Sequence, residues 1–500
     1  METIRSETEV DRTEQALAAA KLRLPLARGH VEIELGRSAA ESAVGQRLIT
    51  VLVNELARMK GVVSCIYVVG LNSSIKRHNC VPLRGGELME GLAALVDGLN
   101  GPASPYRAAI AFDRSPDPHA RVRIGQPAGS GLLVGADAWR ALLGDWVEFS
   151  DWTASSPYGA ALAASLAAAE VFKQLVKMNS GESAGRVLAD QFAFSAFNFG
   201  IDGDAALGPD VPDLEVGDLA VVGCGAGGTA ALYVLGMQPG LSGHIDLVEP
   251  GRHKSSNLNR YLMTTAHDVQ MENHKLGTLV NHLAINAPRL RPTLRSISFE
   301  LVDSPAWSLV LSTVDTVEAR WNIQRRLPAS SIILDAAVRD LEAVLMRVVP
   351  DGRCLECVHP SDAELPLKYR AQRWGVELEE IRRWTAENEV VTREMVDRLA
   401  RIQNRDSADY EALVGVHFSE APNLTECGET PLRTDIPSQA PILPIATTHV
   451  GVLLAAEIAK HFKFREATLN NWLAHNLGAA PRRPKVKWRP PVATCPRHGG

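Results

Sequence analysis

Residues 219–228 read Leu-Ala-Val-Val-Gly-Cys-Gly-Ala-Gly-Gly. The four leading apolar residues predict a buried strand, and the Ala- and Leu-rich run over 229–237 predicts a helix. Between them lies G-x-G-x-x-G, set by Gly223, Gly225 and Gly228. Glycines let the backbone turn tightly and approach a phosphate, and the helix start presents free N–H groups to it. The next apolar run, 244–249, predicts a second strand ending on Glu249, 21 residues after Gly228. A carboxylate there can accept hydrogen bonds from ribose hydroxyls. This frame predicts a nucleotide site without separating NAD from ATP.

Working outward, the pattern predicts a helix over 274–285 and strands at 309–312 and 332–334. Strands alternating with helices imply an α/β fold with a parallel, doubly wound sheet. Upstream, 62–70, 108–112, 121–125 and 132–134 read as short strands, and the Ala-rich 158–176 as a buried helix ended by 179–181. Residues 203–212, rich in Gly, Asp and Pro, read as a linker. Downstream, 361–420 is charged, with apolar positions at helical spacing (Ile381, Trp384, Met395, Leu399, Ile402), and reads as a helical insertion. An apolar helix follows over 450–464, and the Pro-rich, basic 481–491 reads as extended. The helices at 158–176 and 450–464 look alike, which suggests two copies of one fold.

At 500 residues the chain exceeds what one core usually serves. With 46% hydrophobic and 22% charged residues it matches a soluble globular protein rather than a disordered one. A net charge of −6 makes no electrostatic case for nucleic acid. The N-terminal 12 residues carry no apolar secretory signal, and no run approaches the roughly 20 strongly apolar residues of a membrane span. A cytoplasmic protein without a membrane role is the expectation. Seven cysteines without a signal argue against a disulfide framework. Cys65, Cys80 and Cys224 read as small buried hydrophobes.

The residues after Glu249 choose between nucleotides. Lys254-Ser-Ser-Asn257-Leu258-Asn259-Arg260-Tyr261 and Asn273-His274-Lys275 form a polar, cationic series that a dehydrogenase does not need. A triphosphate does, because cleavage develops charge that fixed cations stabilise. Asp315 follows the strand 309–312, where ligands collect in open α/β sheets, and suits magnesium beside phosphates.

In order and spacing, the glycine loop, Glu249, Ser256-Asn257-Leu258-Asn259-Arg260, Lys275 and Val314-Asp315-Thr316 resemble the motifs of the MoeB/ThiF and ubiquitin-activating enzyme superfamily from Asp218 onward. The resemblance implies a Rossmann-like adenylation domain over 206–500, with its insertion at 361–426. It implies that Gly223, Gly225, Gly228, Glu249 and Asn257 hold ATP, that Arg260 and Lys275 contact its phosphates, and that Asp315 coordinates Mg2+. Three positions depart from the family pattern. Gly251 stands where many members have the second acid of D-x-D, Tyr261 where they have Gln, and Thr316 where they have Asn.

Cys354-x-x-Cys357 and Cys495-x-x-His498 together offer a tetrahedral zinc set, although 138 residues separate the pairs. Relatives carry similar pairs at both places, so the resemblance implies a shared Zn2+. Cys427, at the start of the segment leading to the last helix, matches the position where ubiquitin-activating relatives form a thioester. No adjacent histidine is present to activate it, and Glu426 and Glu429 oppose ionisation.

Residues 1–205 carry no glycine loop; Leu71-Asn-Ser-Ser-Ile-Lys-Arg after the first predicted strand lacks the glycines. Ser156-Pro-Tyr-Gly and the helix after it resemble the family's final crossing element, which implies a degenerate, inactive copy of the adenylation lobe. The expected function is activation of the C-terminal glycine of a ubiquitin-like protein, with a conjugating enzyme downstream and homodimerisation. The alternatives are a sulfur-carrier protein or a ribosomal peptide precursor as substrate, an NAD-linked oxidoreductase, and a non-catalytic nucleotide-binding scaffold.

Overall fold

The computed structural model describes residues 28–76, 86–101, 106–125, 129–180, 191–339, 341–359, 371, 374–403, 407–418, 443–478, 483–493, 495, 497 and 498. Two sheets organise the fold. The first comprises β1 (Gly29–Leu35), β2 (Val63–Gly70), β3 (Ala109–Ala111), β4 (Ala120–Ile124), β5 (Leu132–Ala136), β6 (Arg140–Leu143) and β7 (Phe192–Ser195). The second comprises β8 (Glu215–Val222), β9 (Ser242–Val248), β10 (Arg289–Arg295), β11 (Leu309–Ser312), β12 (Ile332–Arg339), β13 (Glu342–Val348), β14 (Trp472–Asn476) and β15 (Lys485–Lys487).

Their topologies match. The first sheet runs β3-β2-β1-β4-β5-β6-β7, and the second runs β10-β9-β8-β11-β12-β13-β14 before adding β15 at its edge. In each, the first five strands in sheet order are parallel and the later pairings antiparallel. Helices correspond as well. Those used below are α1 (Ala43–Arg58), α2 (Tyr158–Ser180), α3 (Ala226–Gly236), α4 (Lys275–Asn286), α5 (Val317–Arg326), α6 (Leu378–Ala386), α7 (Arg393–Gln403) and α8 (Pro444–Lys463). Helix α2 lies between the sixth and seventh strands of its lobe, and α8 holds the same place in the second. The chain is therefore a doubly wound, Rossmann-like lobe preceded by a degenerate copy of itself.

The register identifies what the first lobe lost. Leu35 of β1 pairs with Ile124 of β4 and with Gly70 of β2, as Val222 of β8 pairs with Ser312 and Val248. The turn matching the glycine loop is therefore 36–42, Gly-Arg-Ser-Ala-Ala-Glu-Ser, and not the segment at 71 expected from the sequence. It keeps only the first glycine, and Leu71 stands where the second lobe has Glu249. Strand β1 is hidden in the sequence because Glu32 and Glu34, on the side opposite Val31, Ile33 and Leu35, break the continuous apolar run that marks a strand buried on both faces. Both are neutralised across the strand pair, Glu32 by Arg121 at 2.8 Å and Glu34 by Arg123 at 3.0 Å. Burial of these acids is tolerable only with such partners.

Helix α1 also escaped the sequence pattern. Its N-cap Ser42 accepts a hydrogen bond from Gly45 N at 2.9 Å, and every residue from Val44 to Arg58 is buried. Its polar stripe of Arg47, Thr50, Asn54 and Arg58 is buried as well, so the stripe marks a protein contact and not a solvent face. Helix α2 is apolar and long enough over Tyr158–Val176 to cross a membrane, but 89% of that window is buried inside the protein. Of the cysteines read as buried, Cys224 is so, Cys65 is half-buried, and Cys80 lies outside the described residues.

The chain divides into two compact units. One holds both sheets with α8. The other holds 356–440 and 492–500, where α6 and α7 share their own core. Trp374, Trp384 and Phe418 meet edge to face there, with Ile381, Met395 and Leu399 around them. Ile402, expected on that face, is 52% exposed.

Candidate nucleotide site

The cavity of about 620 Å³ at the C-terminal ends of β8, β9 and β11 is lined by Gly223, Gly225, Glu249, Arg260, Lys275 and Asp315. This volume falls in the range of small-molecule sites. Six of the eight residues expected to hold the nucleotide thus share one pocket. The other two lie behind it. Asn257 is buried, and its Oδ1 accepts from Lys254 N at 2.8 Å, closing the 3-10 turn Ser255–Asn257. Gly228 is a packing position: a Cβ there would stand 2.6 Å from both Gly223 O and Thr313 Oγ1.

Thr313 donates to Gly223 O, tying the glycine turn to the end of β11, and Gly223 itself has φ +84°, which only glycine adopts freely. Gly228→Ala would drive a methyl into that tie. The expected cost is about 1–3 kcal/mol of stability, as for other overpacked sites, read as a lower denaturation midpoint. An unchanged midpoint would show that the loop gives way without strain. Cys224, inside the turn, is fully buried, and burial pushes its thiol pKa up, so it is no nucleophile.

Glu249 and Lys275 face each other at 3.1 Å. Burial lowers the Lys275 pKa, but the tyrosine and carboxylate beside it outweigh this and leave it raised. Glu249 Oε1 also accepts from Gly251 N at 2.7 Å. This accounts for the missing second acid of D-x-D. A Cβ at residue 251 would stand 2.5 Å from Glu249 Oε1 and 2.9 Å from Lys275 Nζ. The bent glutamate occupies the space a second carboxylate would need.

Tyr261, the replacement for Gln, lines the pocket with its ring 5.5 Å from the Arg260 guanidinium and 5.6 Å from Lys275 Nζ. Both cations lie within cation–π distance of this ring. Arg260 donates to Ser256 O at 2.6 Å and to Asn259 Oδ1 at 3.1 Å, and Thr447 of α8 donates to its carbonyl at 3.4 Å. Asp315 is exposed and, among the described residues, makes no hydrogen bond or ion pair.

Sequence reading missed Arg320. It starts the second turn of α5, lines the pocket, and pairs with buried Asp335 at 3.0 Å. Ser312 donates to the same carboxylate at 2.7 Å. Burial raises the Asp335 pKa, with Arg320 opposing. The signal available was an arginine five residues after Asp315, one helical turn from the N-cap Thr316.

Cys354, Cys357, Cys495 and His498 bring three Sγ and one imidazole nitrogen within 4.8 Å of one another. Cys357 Sγ lies 3.3 Å from His498 Nδ1 and accepts from Val492 N at 3.4 Å. Pairs far apart in sequence thus meet as a set able to hold a metal ion. Cys427 lies outside the described residues.

A glycine turn, an acid at the end of the next strand and clustered cations at the switch point of a parallel sheet define a nucleotide-binding α/β protein, here built as two lobes of one topology. The chain belongs to the ThiF family, whose model matches residues 208–496, and so to the MoeB/ThiF-like adenylating superfamily. It is similar to the uncharacterized protein y4jF of Sinorhizobium fredii, at 24% identity over 66% of this chain and 64% of that protein, less than two thirds of its length. Among solved structures it is similar to E. coli MccB with succinimide (TM-score 0.36, 13% identity, 57% of this chain and 66% of that one). The structure of E. coli MccB with ATP gives a TM-score of 0.34 at 13% identity, over 57% of this chain and 67% of that one.

Proposed function

We propose that this chain uses Mg·ATP to adenylate the C-terminal carboxylate of another polypeptide, the favoured substrate being a ubiquitin-like protein ending in glycine. The observation that carries the reading is the convergence of Gly223, Gly225, Glu249, Arg260, Lys275 and Asp315 on one cavity. The glycine turn and the start of α3 offer N–H groups to phosphates. Glu249 accepts from ribose hydroxyls. Lys275 and Arg260 would face the triphosphate, and Asp315 would hold a magnesium ion, which would supply positive charge to the phosphate oxygens. A substrate carboxylate oxygen attacks the α-phosphorus, the α–β anhydride bond breaks, and pyrophosphate leaves. Arg260 offsets the charge that develops on the phosphate oxygens.

The thiolate of Cys427 is the acceptor for a second step, in which it attacks the acyl carbon and AMP leaves. Cys354, Cys357, Cys495 and His498 hold a structural zinc ion with no part in either step. A glycine tail suits the α-phosphate because it carries no side chain to clash in a narrow approach.

The test is ATP–pyrophosphate exchange by the full chain, with and without a glycine-ended ubiquitin-like protein. Exchange that depends on that protein is expected. Exchange with a sulfur-carrier protein or a precursor peptide instead would change the substrate class. Nicotinamide binding without ATP binding would end the reading.

A further inference from the structure

Helix α1 belongs to the first lobe, yet two of its side chains, one turn apart, end on the phosphate-facing turn of the second. Arg58 is 2% exposed. Its Nη1 donates to Leu258 O at 2.6 Å, and its Nη2 donates to Leu262 O at 2.7 Å and Thr264 O at 3.2 Å. Its Nε donates to Asn54 Oδ1 at 2.8 Å, and Asn54 Nδ2 donates in turn to Leu262 O at 3.0 Å. Among the described residues Arg58 forms no ion pair. Burial pulls its pKa down to about 9, which leaves it protonated at neutral pH.

A buried guanidinium without a carboxylate is expensive unless its donors are met by well-placed acceptors. Here the acceptors are backbone carbonyls on both sides of Arg260 and Tyr261, the two pocket residues of that turn. The turn's own backbone bonds are short-range: Leu258 N donates to Ser255 O, Arg260 N and Tyr261 N both donate to Asn257 O, and Thr264 N donates to Tyr261 O. Three of its carbonyls are instead gathered by one planar fork, a geometry an ammonium group cannot reproduce.

We propose that Arg58, braced by Asn54, is a positioning residue for the nucleotide site, and that through it the degenerate lobe sets the direction of Arg260. The proposal rests on the reading of the pocket as an ATP site. It gives the first lobe a role that needs no ligand of its own: α1 is one wall of the mould in which the other lobe's turn takes shape. Arg58 touches no reacting atom and acts only through the backbone that carries Arg260.

The test is calorimetric titration of Mg·ATP into the full chain, as wild type, Arg260→Ala, Arg58→Lys and the Arg58→Lys/Arg260→Ala double variant, with thermal melting alongside. Failure of the wild type to bind would sink the nucleotide reading, and separates that failure from this one. Given binding, Arg260→Ala is expected to weaken it about tenfold, the size of a lost charged hydrogen bond. Arg58→Lys is expected to weaken it by a similar factor. The double variant should bind no worse than Arg260→Ala alone, because no guanidinium remains to be misdirected. A purely structural Arg58 would lower the melting temperature while leaving affinity within about twofold, or would add its loss to that of Arg260. Either result overturns the proposal. Should Arg58→Lys not fold, Asn54→Ala carries the same test, with an expected loss of about threefold that vanishes in the Arg260→Ala background.

Discussion

Asp315→Asn is expected to abolish substrate-dependent ATP–pyrophosphate exchange, with a loss of about 10³-fold, equivalent to about 4 kcal/mol of charge stabilisation. The substitution keeps the shape of the side chain and removes its charge. Asp315 is exposed in the cavity beyond the end of β11 and, among the described residues, has no hydrogen bond or ion pair to lose. The other carboxylates on the pocket wall are engaged: Glu249 with Lys275 and Gly251, and Glu300 with Asn322 at 3.2 Å. A carboxylate left available among cations is suited to a metal ion. The fold should be untouched, so the melting temperature without nucleotide should match the wild type. Exchange within about threefold of wild type would remove Asp315 from the mechanism, since loss of a metal ligand costs several kcal/mol.

Much of the second lobe was legible because its strands are buried on both sides. Residues 219–222 and 309–312 are short apolar runs, and the glycine turn and Glu249 follow at fixed offsets. The first lobe was harder for a physical reason. Its central strand carries Glu32 and Glu34, which look like surface residues until Arg121 and Arg123 of the adjacent strand are placed beside them. A pairing across 89 residues leaves no local trace. Strand β14 hides in the same way: its His475 is buried against His449 of α8 at 2.9 Å, a contact that only tertiary structure supplies. The site shows the same division. Residues whose role comes from position along one strand end could be read, whereas the carbonyls that hold Arg58 lie 200 or more residues away in sequence.

Removal of the zinc ion proposed for Cys354, Cys357, Cys495 and His498 is expected to have the largest effect on the unit formed by 356–440 and 492–500. Around a tetrahedral zinc with Zn–S bonds of about 2.3 Å, sulfur atoms stand about 3.8 Å apart. Three thiols and an imidazole already gathered within 4.8 Å need only small shifts to reach that arrangement. Three of the four are buried, where thiolates without a cation would repel one another in a poorly screened interior. Cys357 Sγ accepts from Val492 N at 3.4 Å, and within the tail Cys495 N donates to Val492 O and His498 N to Cys495 O. Structural zinc sites contribute about 10–16 kcal/mol in isolated peptides, so loss of the ion should free the tail and loosen the core around Trp374, Trp384 and Phe418. Wild-type protein should contain one zinc per chain by elemental analysis, Cys357→Ser close to none. A strong chelator should lower the melting temperature of the wild type but leave Cys357→Ser where it is. Substoichiometric zinc in wild type together with an unchanged melt in Cys357→Ser would show that the four residues meet for packing alone.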